Sequence, residues 1–167
     1  MQSRSVAGAT GQNDSRGQSG NSTPASGNSF EAAARYICGM ISLDSATFLV
    51  RDLDEAITFF IDGLGFALRQ DETFEGGWRR VVVGPAEGGT GLVLAVAPAD
   101  SDVVGRQGGG DVGFFLRTDD FDVQYARMLK YGVHFREAPR FESYGTVAIF
   151  EDLYGMPWDL IGPVQGS

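Results

Sequence analysis

Between residues 45 and 161 the chain writes the same series of elements twice, a strand, a helix and three further strands. No other feature restricts its fold so strongly. Residues 45–51 alternate, with Ala46, Phe48 and Val50 on one side and Ser45, Thr47 and Leu49 on the other, the period of a half-buried strand. Asp52 followed by Glu55 has the spacing of a capping box. Leu53, Ala56, Ile57, Phe60 and Leu64 then form an apolar stripe, which Gly63 and Gly65 stop. Strands are expected at 66–71, 78–83 and 91–97, with Gly- and Glu-rich turns between them. The series restarts with a strand at 113–117 and a helix opened by Asp119 or Asp120. Its stripe is Phe121, Tyr125, Met128 and Leu129, and Gly132 ends it. Strands at 133–136, 146–151 and 157–161 complete the second copy.

The copies are offset by 66 or 67 residues. Arg51 falls on Arg117 and Gly89 on Gly155 at 66, and Val81-Val82-Val83 on Ala148-Ile149-Phe150 at 67. By the same 66, Ser45 falls on Asp111 and Val93 on Asp159. This predicts an α+β fold of two tandem βαβββ modules, residues 41–107 and 108–163, in one structural domain. A sheet and a helix each need a partner to bury one side, so each sheet should lay its apolar face on its own helix. The opposite faces then enclose a cup, a mixed sheet with the helices outside. Strand phase puts Ser45, Thr47, Val93, Asp111, Phe115, Arg117 and Asp159 on its lining.

Residues 1–29 contain no Leu, Ile, Phe, Tyr or Trp and cannot bury enough apolar surface to offset the entropy of ordering. Residues 1–40 therefore read as a disordered tail or a non-native lead-in, with Met40 as a candidate natural start. Thirteen Lys and Arg against 22 Asp and Glu give a net charge of −9, a field that repels nucleic acid and anionic membranes and favours cationic partners. Cys38 is the only cysteine and His134 the only histidine, which excludes an internal disulfide, a thiolate cluster and a His–His metal pair. No apolar run approaches the ~20 residues of a membrane span, and a cytoplasmic protein is expected.

Residues 49–56 (Leu-Val-Arg-Asp-Leu-Asp-Glu-Ala), with Phe59 and Leu64-Gly65-Phe66, carry a resemblance that the second half repeats. There it lies in Phe114 to Phe121, in Tyr144-Gly145-Thr146-Val147, and in Asp152-Leu153-Tyr154-Gly155 with Trp158-Asp159-Leu160. In these motifs the chain resembles the vicinal-oxygen-chelate superfamily of glyoxalases, bleomycin-resistance proteins and extradiol dioxygenases. The resemblance implies a homodimer whose subunits share pocket walls. It also implies metal-ligand positions on the first and last strand of each module, which here hold Ser45, Val93, Asp111 and Asp159. Val93 offers no donor and Ser45 a neutral one, so no metal or other cofactor is expected. If an ion were held, Asp111 and Asp159 would hold it.

Each candidate also has a bland reading. Asp111 and Asp159 are either a general acid–base pair, anchors for a cation, or, for Asp111, a solvated turn residue. Arg117 shares the phase of Phe115 and is placed to touch a ligand, whereas Arg51 should pair with nearby acids beside the helix start. Trp78, Tyr144 and Tyr154 either rim the cup, stacking on a flat guest, or pack an edge. His134 reads as a surface residue, and residues 108–110 as a flexible linker, not a phosphate loop. The resulting expectation is a metal-independent binder of a cationic or aromatic small molecule. A divalent-metal lyase, isomerase or dioxygenase, and a non-catalytic regulatory or structural partner, stand as alternatives, so whether the chain is an enzyme stays open.

Overall fold

The duplicated pattern folds as two four-stranded mixed sheets, each with one helix. In the computed structural model residues 41–164 are described, all within the unit Ile41–Ser167. The expected tail or lead-in over 1–40, with Cys38, lies outside the described residues. The first module comprises β1 (Ser45–Val50), α1 (Leu53–Thr58, continuing as a π turn over Phe59–Gly63), β2 (Ala67–Thr73), β3 (Arg79–Gly84) and β4 (Gly91–Val96). The second comprises β5 (Phe114–Arg117), α2 (Phe121–Tyr131), β6 (Arg140–Glu142), β7 (Gly145–Glu151) and β8 (Pro157–Ile161). The sheet orders are β1-β4-β3-β2 and β5-β8-β7-β6, with the outer pairs β1–β4 and β5–β8 parallel. This is the α+β architecture of two tandem modules that the repeat predicts.

Local chemistry sets the helix starts. Asp52 accepts from Glu55 N at 2.8 Å and Asp120 from Val123 N at 3.1 Å, each satisfying an amide that the first helical turn leaves free. The first helix then widens into its π turn, and the consecutive rings Phe59 and Phe60 are both buried. Phe59 meets Tyr131 of α2, and Phe60 meets Phe48 of β1 edge-on at 5.3 Å. Gly65, at φ 83°, turns the chain from the helix toward β2.

The core runs without a break from one module into the other. Phe48 lies 5.4 Å from Phe114 and 5.7 Å from Trp158, and Trp158 stacks on Phe114 at 4.6 Å. Gln124 and Arg127 of α2 donate to the carbonyls of Leu64 and Ile61 at the end of the first helix. The connection between modules is anchored as well. The Gln107 amide donates to Leu49 O at 3.1 Å and accepts from Leu49 N at 2.6 Å, covering the backbone edge of β1 that no strand pairs.

Two expectations are corrected. The strand expected at 133–136 is only an isolated bridge, Phe135 to Phe150, held by Glu151 N to His134 O and Arg136 N to Ile149 O. The edge strand proper forms later, as β6. Pro139 stands between the two and has no amide to give a ladder. Arg51 pairs with no acid among the described residues; it donates to the carbonyls of Pro98, Ala99 and Ser101, fastening the segment that follows β4 to the end of β1.

Candidate ligand-binding site

The two pairing registers decide which predicted residues meet. Thr47 lies opposite Val93, and Phe115 lies opposite Asp159. The last strands keep the 66-residue offset, Val93 to Asp159, but the first strands are offset by 68, Thr47 to Phe115. The helix caps agree, since Asp52 and Asp120 are also 68 apart. Ser45 therefore corresponds to Gly113, not Asp111, and Arg51 does not correspond to Arg117. Asp111 lies before β5 begins, in an exposed turn bridged to Gly109.

The remaining residues divide into separate groups. On the first sheet, Val93 and Trp78 line a cavity of about 370 Å³ with Arg80 and Ala95, while Ser45 and Thr47 lie on the same face of β1. Trp78 is exposed and leans on Phe74 at 5.1 Å across the β2–β3 turn. On the second sheet, Phe115 is 65% exposed and stands beside Asp159, which is 8% exposed. Arg117 follows in the same phase, and Tyr144 lies exposed at the β6–β7 turn. Tyr154 belongs to neither group: its hydroxyl accepts from Arg51 N at 2.9 Å, and its ring packs against the core.

Asp159 is the unusual group. Among the described residues its Oδ1 is buried without a hydrogen-bond partner, and burial raises its pKa, an effect opposed by the charge of Arg140. Arg140 also forms ion pairs with Glu137 and Glu142, and its Nη1 is, like Asp159 Oδ1, buried without a hydrogen-bond partner among the described residues. No pattern in the sequence pointed to Arg140, since the strand that carries it forms later in the chain than its counterpart in the first module.

The other buried carboxylate, Asp152, serves the fold. It accepts from Tyr154 N, Met156 N and the Trp158 indole, and these bonds oppose the desolvation that raises its pKa. His134 is exposed and bonds Glu151 Oε2 at 3.0 Å; Arg136 holds the same carboxylate, chiefly by hydrogen bonding, with its pKa lowered.

Sequence reasoning missed a cavity of about 390 Å³ at the junction of the modules, lined by Ala46, Phe66, Leu92, Phe114, Phe115, Arg117 and Trp158 among others. Alternation alone assigns Phe114 and Trp158 to the core, and only the placement of one module against the other opens space beside them.

The donor set does not suit a divalent ion. Val93 supplies no ligand, Gly113 supplies no side chain, Ser45 is a neutral hydroxyl, and Asp159 alone is a carboxylate, where zinc or iron sites take three or four strong ligands. Among the described residues no group of three or more His, Cys, Asp and Glu is placed to hold a metal. No helix among them is long and apolar enough to cross a membrane.

Comparison with known proteins agrees with the fold. Residues 42–160 match the family model of the Glyoxalase/Bleomycin resistance protein/Dioxygenase superfamily. An uncharacterized protein of Shewanella frigidimarina is 47% identical over 117 residues, covering 68% of this chain and 87% of that one. Among solved structures, TnmS3, an antibiotic binding protein from Streptomyces sp. CB03234, is 29% identical with a TM-score of 0.60, covering 74% of this chain and 97% of its own. A glyoxalase/bleomycin resistance protein from the same Streptomyces is 30% identical with a TM-score of 0.58, covering 72% and 99%.

Proposed function

Because the chain belongs to the Glyoxalase/Bleomycin resistance protein/Dioxygenase superfamily, we propose that it binds a cationic, aromatic small molecule without a metal, as a homodimer. The observation that carries this reading is the unpaired, buried Oδ1 of Asp159 beside the exposed ring of Phe115. A buried carboxylate without a partner costs stability, and a cationic guest would supply the missing partner while its rings cover Phe115. The net charge of −9 draws such a guest in. The relative described as an antibiotic binding protein supports a small-molecule ligand. Sequestration needs no reacting group. The exposed aromatics Phe141 and Tyr144 give a second copy apolar surface to cover.

The test is a thermal-shift and calorimetric titration of chelator-treated full-length protein with planar aromatic cations, proflavine first. Ligand at a hundredfold its dissociation constant should add about 2.7 kcal/mol to the folded state. Asp159→Asn should abolish the shift, and restoring divalent ions should not enlarge it. Binding that requires added metal, or stoichiometric metal retained on purification and lost in Asp159→Asn, would favour a metal-dependent lyase, isomerase or dioxygenase instead. Sedimentation of the apoprotein reports the dimer directly.

A further inference from the structure

The junction cavity has a chemistry opposite to that of the Asp159 face. Ala46 and Leu92 wall it from the first sheet, Phe66 from the turn after α1, and Phe114 and Trp158 from the second sheet. The last two rings are stacked at 20° and make one continuous aromatic wall. At about 390 Å³ the space falls in the range that holds drug-sized molecules. A second hollow of about 220 Å³ continues from it, sharing Phe66, Pro85, Leu116 and Arg117.

Among the described residues Arg117 is the one charged side chain lining either hollow. Other arginines are already engaged: Arg69 and Arg127 by backbone carbonyls, Arg79 and Arg136 by carboxylates. The guanidinium of Arg117 has no hydrogen bond or ion pair with any described residue. A planar fork of donors at the mouth of an aromatic hollow matches a ligand with a flat apolar body and one carboxylate. A dianion such as a phosphate monoester fits less well, because one guanidinium must then hold it against a protein of net charge −9.

We propose that the junction cavity binds a planar aromatic carboxylate, its rings against Phe114 and Trp158 and its carboxylate paired with Arg117. The cavity shares Phe115 with the Asp159 face, but the charge that would hold this ligand is Arg117 and not Asp159.

The experiment titrates the full chain with 2-naphthoate and, in parallel, with its neutral analogue 2-naphthamide, by calorimetry. Trp158 fluorescence, read in a Trp78→Phe background, follows occupancy of the aromatic wall. The expected result is that naphthoate binds at least about tenfold more tightly than the amide and perturbs Trp158. Arg117→Gln should erase that preference, and Arg117→Lys should restore part of it. Asp159→Asn should leave the preference for naphthoate over the amide unchanged while abolishing binding of proflavine, so failure of one reading is distinguishable from failure of the other. Equal affinity for acid and amide in the wild type overturns the proposal. So does no saturable binding at millimolar naphthoate, or a preference that survives in folded Arg117→Gln.

Discussion

Replacing Asp152 by asparagine tests how the turn between β7 and β8 is held. Oδ1 accepts from Tyr154 N at 2.8 Å and Met156 N at 3.0 Å, while Oδ2 accepts from Trp158 Nε1 at 3.2 Å. An asparagine oxygen placed where Oδ1 sits keeps both backbone bonds. Its amide then points a donor at the indole donor, leaving two buried N–H groups without acceptors. Losing one charge-assisted bond and orphaning these donors costs about 3 kcal/mol, and removing a desolvated charge returns part of it, for a net loss of about 2 kcal/mol. Asp152→Ala orphans all three donors and should cost about 4 kcal/mol. With an m-value of about 2 kcal/mol/M, urea midpoints followed by circular dichroism should fall by about 1 M and about 2 M. Trp158→Phe removes the indole donor, so in that background Asp152→Asn should cost about 1 kcal/mol less than in the wild type. A wild-type midpoint for Asp152→Asn, or the same cost in both backgrounds, refutes this account of the turn.

Asp159→Asn should be at least as stable as wild type at neutral pH, by about 1 kcal/mol, because it removes a buried charge that lacks a full partner. The folded-state pKa of Asp159 is raised, so wild type loses stability relative to the variant as pH climbs from the ordinary carboxylate value through the raised one. Urea midpoints across that window should diverge with rising pH; parallel curves would contradict it. Glu151 has the opposite sign. Its pKa is lowered, foremost by Arg136, so its contribution is present above the ordinary carboxylate value and is lost as pH falls through the lowered one. Arg136→Ala should move the Glu151 carboxyl titration upward, read by carbon NMR. At Gly162 an added Cβ would sit 2.5 Å from Phe121 Cβ, so Gly162→Ala should cost about 2 kcal/mol in thermal unfolding. Gly155→Ala meets open space and should cost only about 1 kcal/mol for its positive φ.

Much of the fold was legible because period and capping are local properties. The alternation of Ala46, Phe48 and Val50 has a strand's period whatever lies beyond it, and the side chains of Asp52 and Asp120 reach amides three residues away. The duplication itself needs only the order of such elements, and so the two-module α+β fold could be read without coordinates. Register is different, because pairing depends on how two distant strands slide against each other. Counting residues put Asp111 level with Ser45; the sheets and helix caps moved the correspondence to Gly113. The displaced edge strand is a tertiary outcome too, and it brought Arg140 near Asp159.

The sequence by itself determined the two modules, the start of the first helix and the inward faces of the strands, since each follows from neighbours along the chain. Only the tertiary structure decided that Asp159 stands beside Phe115, that Tyr154 turns away to bind the backbone at Arg51, and that a hollow with Arg117 at its mouth opens between the modules. These depend on distances between residues far apart in the chain, which no local pattern encodes.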